Sequence, residues 1–176
     1  MKLLLISCLF LISCAVEEIA CEESDAIIEN ICVYKNGLNI TDEDLRRSLN
    51  IINSVWSEKF GVGYDDIIKN HKDPDFNTQI EFVSELEYKG FTYELEITLK
   101  YNEILDKKCL ANTAIGHEML HLLGTLYKID FSHENKRLFI NQTSNYDEIK
   151  NSLENILNVK LCNIFCEEGC IWYRIK

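Results

Sequence analysis

Proline is almost missing from these 176 residues: Pro74 is the single one, and no internal repeat or low-complexity stretch appears. Nothing therefore divides the chain or marks a flexible spacer. Methionine is as scarce, with only Met1 and Met119, and histidine occurs four times. Basic residues are outnumbered, 18 Lys and Arg against 29 Asp and Glu, for a formal charge of −11. A surface so acidic repels nucleic acid and anionic lipid, which excludes both as expected partners. The apolar run from Leu3 to Ser13 is too short to cross a bilayer as a helix.

That run follows Met1-Lys2 and precedes small residues, the layout of a secretory signal over residues 1–15. Two processing routes fit. Ser13 and Ala15 stand at the −3 and −1 positions for ordinary signal cleavage, leaving Val16 as the new N-terminus. Alternatively, Leu11-Ile12-Ser13-Cys14 resembles the lipobox of bacterial lipoproteins, with Cys14 acylated. Either route predicts a secreted or lipid-anchored protein of the extracellular or cell-envelope space. Its only membrane attachment would be the anchor at Cys14. Residues 16–176 suit one domain with one core, expected to be a monomer. Loss of Lys2 with the leader makes the charge −12. Cys21, Cys32, Cys109, Cys162, Cys166 and Cys170 remain. An even set after an export signal predicts three disulfides among 15 possible pairings. A thiolate metal site at Cys162, Cys166 and Cys170 is the weaker reading, because such sites usually come as two close pairs.

The hydrophobic pattern predicts an α+β domain with a mixed sheet. Ile31 to Tyr34 has the composition of a short strand. Thr41 fits a helix N-cap, with Asp42, Glu43 and Asp44 in the first turn. Leu45, Leu49, Ile52, Val55-Trp56 and Phe60 follow at helical spacing, and Gly61 closes the segment. Asp65 to Asn77 reads as a loop around Pro74. A hairpin comes next, with Ile80, Phe82, Leu86 and Tyr88 on its first arm. Phe91, Tyr93, Leu95, Ile97, Leu99 and Tyr101 form a second arm that alternates without a break. Cys109 to about Leu126 is helical and apolar nearly all round, which predicts a buried helix. A polar stretch from Ser132 to Asn145 leads to a last amphipathic helix carrying Ile149, Leu153, Ile156-Leu157 and Leu161, then to a disulfide-stapled C-terminal segment.

On the buried helix, His117 and His121 stand four residues apart, so both imidazoles project from one face. One helical turn lets two such nitrogen ligands reach a single zinc ion. Glu118 is rotated slightly round the axis, out of easy reach as a third ligand but placed to hydrogen-bond a water on the metal and take its proton. Without a metal, two histidines and a glutamate would be buried unpartnered on an apolar helix, at a cost of several kcal/mol. Gly124, three residues on, falls where the chain must turn if a further ligand is to return.

The segment Thr113-Ala114-Ile115-Gly116-His117-Glu118-Met119-Leu120-His121-Leu122-Leu123-Gly124 resembles the active-site helix of the zincin metallopeptidases. The glycine makes it most similar to the metzincin branch, whose motif runs HExxHxxGxxH or HExxHxxGxxD. That resemblance implies a small zincin-like domain in which His117 and His121 bind zinc and Glu118 is the general base. It also implies an edge strand, in the hairpin before the helix, that takes peptide substrate in extended form. The chain departs from the branch at two points: Tyr127 stands at the third-ligand position, and no methionine follows the site to form the metzincin turn.

Catalytic zinc takes three protein ligands and keeps an open position, so a third ligand is needed. His133 is favoured, since leishmanolysin-like metzincins tolerate a long insertion before their last histidine. Glu148 occupies the place of the gluzincin glutamate, and Asp130 and Tyr127 remain as alternatives. His71 lies upstream in the Pro74 loop. Asn39-Ile40-Thr41 and Asn141-Gln142-Thr143 are glycosylation sequons, meaningful only in a eukaryotic secretory pathway. The expected activity is zinc-dependent hydrolysis of peptide bonds in extracellular protein or peptide substrates, with Glu118 activating a zinc-bound water. A secreted zincin-like binding module without turnover is the alternative.

Overall fold

The structure, a computed structural model, describes residues 21, 23–37, 40–70, 77–83, 90–100 and 107–165. The leader with Cys14, Asn39, the loop holding His71 and Pro74, Leu86, Tyr88, Tyr101, Cys166 and Cys170 lie outside the described residues. The fold is α+β, with a mixed sheet and helices laid against it. Strands β1 (Ala26–Ile28), β2 (Ile31–Tyr34), β3 (Gln79–Val83), β4 (Gly90–Tyr93) and β5 (Glu96–Lys100) form a single sheet in the order β1-β2-β3-β5-β4. Helix α1 spans Asp42–Phe60, α2 Tyr64–Asn70, α3 Lys107–Tyr127, α4 Tyr146–Asn151 and α5 Leu153–Phe165.

Local chemistry explains most of these boundaries. The β1–β2 hairpin closes through Glu29 and Asn30, both at positive φ (51° and 66°), as a two-residue turn matched to strand twist requires. Thr41 caps α1, its side chain accepting from the Asp44 N–H at 3.1 Å. At the other end Gly61 takes the left-handed conformation, φ 73°, which costs glycine little. Helix α2 occupies the first part of the segment expected to be a loop. Its Tyr64, Ile67 and Ile68 reach the core, and the Asn53 side chain accepts from the Tyr64 N–H.

The hairpin differs from expectation. The alternation from Phe91 to Tyr101 does not mark one strand: it is cut at Glu94, which adopts φ 51°, and β4 doubles back antiparallel to β5. Pairing of Tyr93 with Glu96 joins an odd position to an even one, so the faces exchange across the turn. Thr92 therefore sits beside Ile97 on the helix-facing side, while Phe91 and Tyr93 are exposed. β3 pairs with β5 in parallel instead of forming the hairpin's first arm. Outside β4 no further strand is found among the described residues, which makes it an edge.

The core lies between the sheet and the helices. Ile80, Phe82, Ile97 and Leu99 face Leu49, Ile52, Trp56, Ile115, Met119 and Leu123, all essentially inaccessible to solvent. Side chains of this kind each contribute about 1.5–3 kcal/mol by leaving water. Helix α3 is buried as its composition predicts, packed chiefly on α5 and against β4 and β5. The last amphipathic segment is two helices, broken at Ser152. Its backbone is extended, and its hydroxyl accepts from the Asn155 N–H to cap α5. Cys21 and Cys32 form a disulfide, and Cys162 is disulfide-bonded as well. No helix of the described residues is long and apolar enough to cross a membrane.

Candidate metal centre

Helix α3 presents His117 and His121 on one face, as their spacing requires. The loop after the helix then delivers His133 between them. The three Nε2 atoms form a nearly equilateral triangle: 3.3 Å from His117 to His121, 3.2 Å from His121 to His133, and 3.2 Å from His133 to His117. These three residues form a group able to hold a metal ion.

The return of the loop depends on Gly124. The helix ends with Lys128 at φ 59°, while the Lys128 and Ile129 N–H groups bond back to Thr125 and Gly124 carbonyls. A Cβ on Gly124 would lie 2.6 Å from Phe131 Cβ, so only glycine lets the chain pass this close. The same passage sets the Phe131 carbonyl 2.8 Å from His121 Nδ1, which donates to it. His133 is held through its own carbonyl, which accepts from the Asn141 side-chain amide at 2.9 Å. Asn141, read in sequence as a glycosylation acceptor, thus uses its amide nitrogen as a clasp on this loop.

Two partners of the site carried no signal in the sequence. Glu154 on α5 places Oε1 2.8 Å from His117 Nδ1. Phe139 is fully buried and lies under all three imidazoles. Its ring stacks on His121 with centroids 4.3 Å apart, and stands 5.2 Å from His117 and 5.1 Å from His133. When the rings are neutral, the acceptors at Nδ1 of His117 and His121 put the ring proton there, so the Nε2 lone pairs of both point into the triangle. Lone pairs converging at this distance repel unless a cation sits among them.

The electrostatics follow from burial. Desolvation pushes His121 down to about 4, helped by the neighbouring His117 charge, so its imidazole stays neutral. Burial also works to lower His117, but the hydrogen bond and charge of Glu154 outweigh it and leave that histidine raised. Glu118 is only 6% exposed. Burial raises its pKa against the hydrogen bond from Thr92 and the charges of His117 and His133. The Thr92 hydroxyl donates to Glu118 Oε2 at 2.6 Å from edge strand β4, and Gly90 of that strand leaves room for the carboxylate, where a Cβ would meet Oε1 at 2.6 Å.

The other third-ligand alternatives are engaged elsewhere. Glu148 accepts from Lys136 and from the Asn145 N–H in a capping box. Asp130 accepts from the Ser132 N–H on the surface. Tyr127 is exposed and sets its ring against Trp56 and Phe60 on α1, away from the histidines. The chain matches no family model, no curated protein and no solved structure. The functional reading therefore rests on the residues themselves.

Proposed function

We propose that the chain is a secreted or lipid-anchored, zinc-dependent peptidase of zincin type, with His117, His121 and His133 as zinc ligands and Glu118 as general base. The observation that carries this reading is the His triangle with a buried carboxylate on the adjoining residue. Tetrahedral zinc with bonds of 2.0–2.1 Å needs its nitrogens about 3.3–3.4 Å apart. The triangle measures 3.2–3.3 Å, so three ligands fit with little movement and one position stays open. Neutral imidazole nitrogens suit zinc, and exposure of His133 gives the ion a path from solvent.

Zinc held there supplies Lewis-acid polarisation of a carbonyl and an acidified water. The chain supplies the rest. The Thr92 hydroxyl occupies Glu118 Oε2, which leaves Oε1 to accept a proton from the attacking water. As the hydroxide oxygen bonds to the carbonyl carbon and the C–N bond breaks, Glu118 passes that proton to the departing amine nitrogen. Among the described residues no strand pairs with the outer edge of β4, which suits it to an extended peptide, and Thr92 of that strand bonds Glu118, so substrate and base share one support. The Cys21–Cys32 disulfide suits an oxidising compartment outside the cell.

Purified protein should carry about one zinc per chain and cleave a diverse peptide library. Chelation should abolish cleavage and zinc should restore it. Folded, unchelated protein with no stoichiometric metal would refute the proposal.

A further inference from the structure

Glu154 enters the site from the start of α5, 37 residues beyond His117. The helix break at Ser152 aims it. Because α5 begins afresh at Leu153, its first N–H groups are free to bond outside the helix. Those of Leu153 and Glu154 donate to the Arg137 and Leu138 carbonyls at 3.0 and 2.9 Å. The loop that carries Phe139 is thereby fastened to the helix end. The Glu154 side chain, 15% exposed, then uses each of its oxygens once. Oε1 accepts from His117 Nδ1 at 2.8 Å, and Oε2 accepts from the Ile140 N–H at 2.7 Å.

The chemistry of those partners restricts what can stand at 154. An amide N–H is always a donor, and His117 must donate from Nδ1 if its Nε2 is to keep a lone pair for a metal. Two donors facing one side chain require two acceptors, which a carboxylate has and a carboxamide lacks. Glutamine has the same shape but presents an NH2 to one of the two. Facing Ile140 it would set donor against donor. Facing His117 it would force the ring to accept at Nδ1 and move its proton to Nε2, into the triangle.

We propose that Glu154 is a positioning residue: it locks His117 in the Nδ1–H tautomer and ties that ring to the loop bearing Phe139, so that the site is formed before any ion arrives. This rests on reading the three histidines as a metal centre, and not on peptide hydrolysis. Ligand histidines held by an outer carboxylate commonly lose 10–100-fold in metal affinity when it is removed. Phe139 is carried on the same fastening, since Leu138 and Ile140 on either side of it both bond to Glu154.

The test uses the whole chain, wild type and Glu154→Gln, with zinc alone as probe. Zinc dissociation constants come from competition with a chelator of known affinity. Long-range proton–nitrogen NMR of the metal-free protein at about pH 9, above the ordinary histidine range, reports the His117 tautomer directly. The expected result is Nδ1–H in wild type, a shift towards Nε2–H in the variant, and zinc binding weaker by about 10–100-fold. Wild-type affinity in the variant, or weaker binding with the Nδ1–H tautomer retained, overturns the proposal. If wild type itself binds no zinc, the metal-centre reading fails and the tautomer alone decides the role of Glu154. Should Glu154→Gln not fold, Glu154→Ala removes both bonds without opposing donors. A loss of tenfold or more, with a mixed tautomer, then supports the role, and unchanged binding overturns it.

Discussion

Gly124→Ala adds one methyl group where the loop turns back towards the site. Its Cβ would stand 2.6 Å from Phe131 Cβ and 3.4 Å from Phe131 Cα, and ordinary contact begins near 3.4 Å. Phe131 must therefore retreat by about 0.8 Å, and because the obstructing atom is a Cβ its backbone has to move with it. That backbone bears the carbonyl on His121 Nδ1 and leads, two residues on, to His133. Metal–ligand distances tolerate only about 0.2 Å. The substitution should thus weaken zinc binding by about 10–100-fold, the range seen when ligand support is lost. Stability responds less, because two effects oppose each other. Alanine gains about 1 kcal/mol over glycine within a helix, and overpacking costs about 1–3 kcal/mol. The net lies between no change and a loss of about 2 kcal/mol. Chelator competition and urea unfolding measure the two separately. Gly116→Ala is the control on the same helix: its Cβ would meet Leu161 Cδ1 at 2.9 Å, the far end of a flexible side chain, and zinc affinity should hold. Gly124→Ala with zinc affinity within about twofold of wild type would refute the reasoning, since that shift lies below the range expected for lost ligand support.

His133→Ala should lose zinc along with peptide cleavage, whereas Glu148→Ala, which breaks only the Lys136 pair and a helix cap, should keep both; the reverse pattern in elemental analysis would move the third ligand to Glu148. In metal-free protein, NMR titration should find His121 neutral down to about pH 4. Its folded pKa lies below the ordinary 6.5, so the unfolded chain binds the proton first. The His121 contribution to stability is thus complete above about pH 6.5 and lost as pH falls towards 4. A His121 midpoint near 6.5 would contradict the burial of that ring.

The sequence carried those parts of the site that lie within reach of one another along the chain. His117, Glu118 and His121 share a single helix, whose periodicity fixes their mutual placement, and Gly124 follows on the same turn pattern. His133 was legible only as the one histidine downstream of the helix and through the resemblance to metzincins with a long insertion before their last histidine. Its seat depends on a left-handed Lys128, the Gly124 passage and the Asn141 clasp, and no periodicity encodes these together. Glu154 and Phe139 were hidden for a related reason. A glutamate on an amphipathic helix and a phenylalanine in a polar stretch are ordinary residues until packing of α5 on α3 brings them to the rings. The helix break was equally hidden, because Ile149, Leu153 and Ile156 keep helical spacing across Ser152 and only its extended backbone exposes the division. Helix α1 was legible at both ends, since Thr41 and Gly61 act on their immediate neighbours. The β4–β5 turn was not: a two-residue turn preserves alternation along the chain while exchanging the faces.

Peptide cleavage by zinc-loaded Glu118→Gln beside wild type tests the central claim most directly. The change keeps the size of the side chain and its contact with Thr92 but removes the oxygen that accepts the proton. The three histidines are untouched, so zinc content should match wild type. Cleavage of a broad peptide library should fall by about a hundredfold or more, the usual worth of positioned acid–base catalysis. Wild type and variant equally active, or equally inert at saturating zinc, would contradict the account.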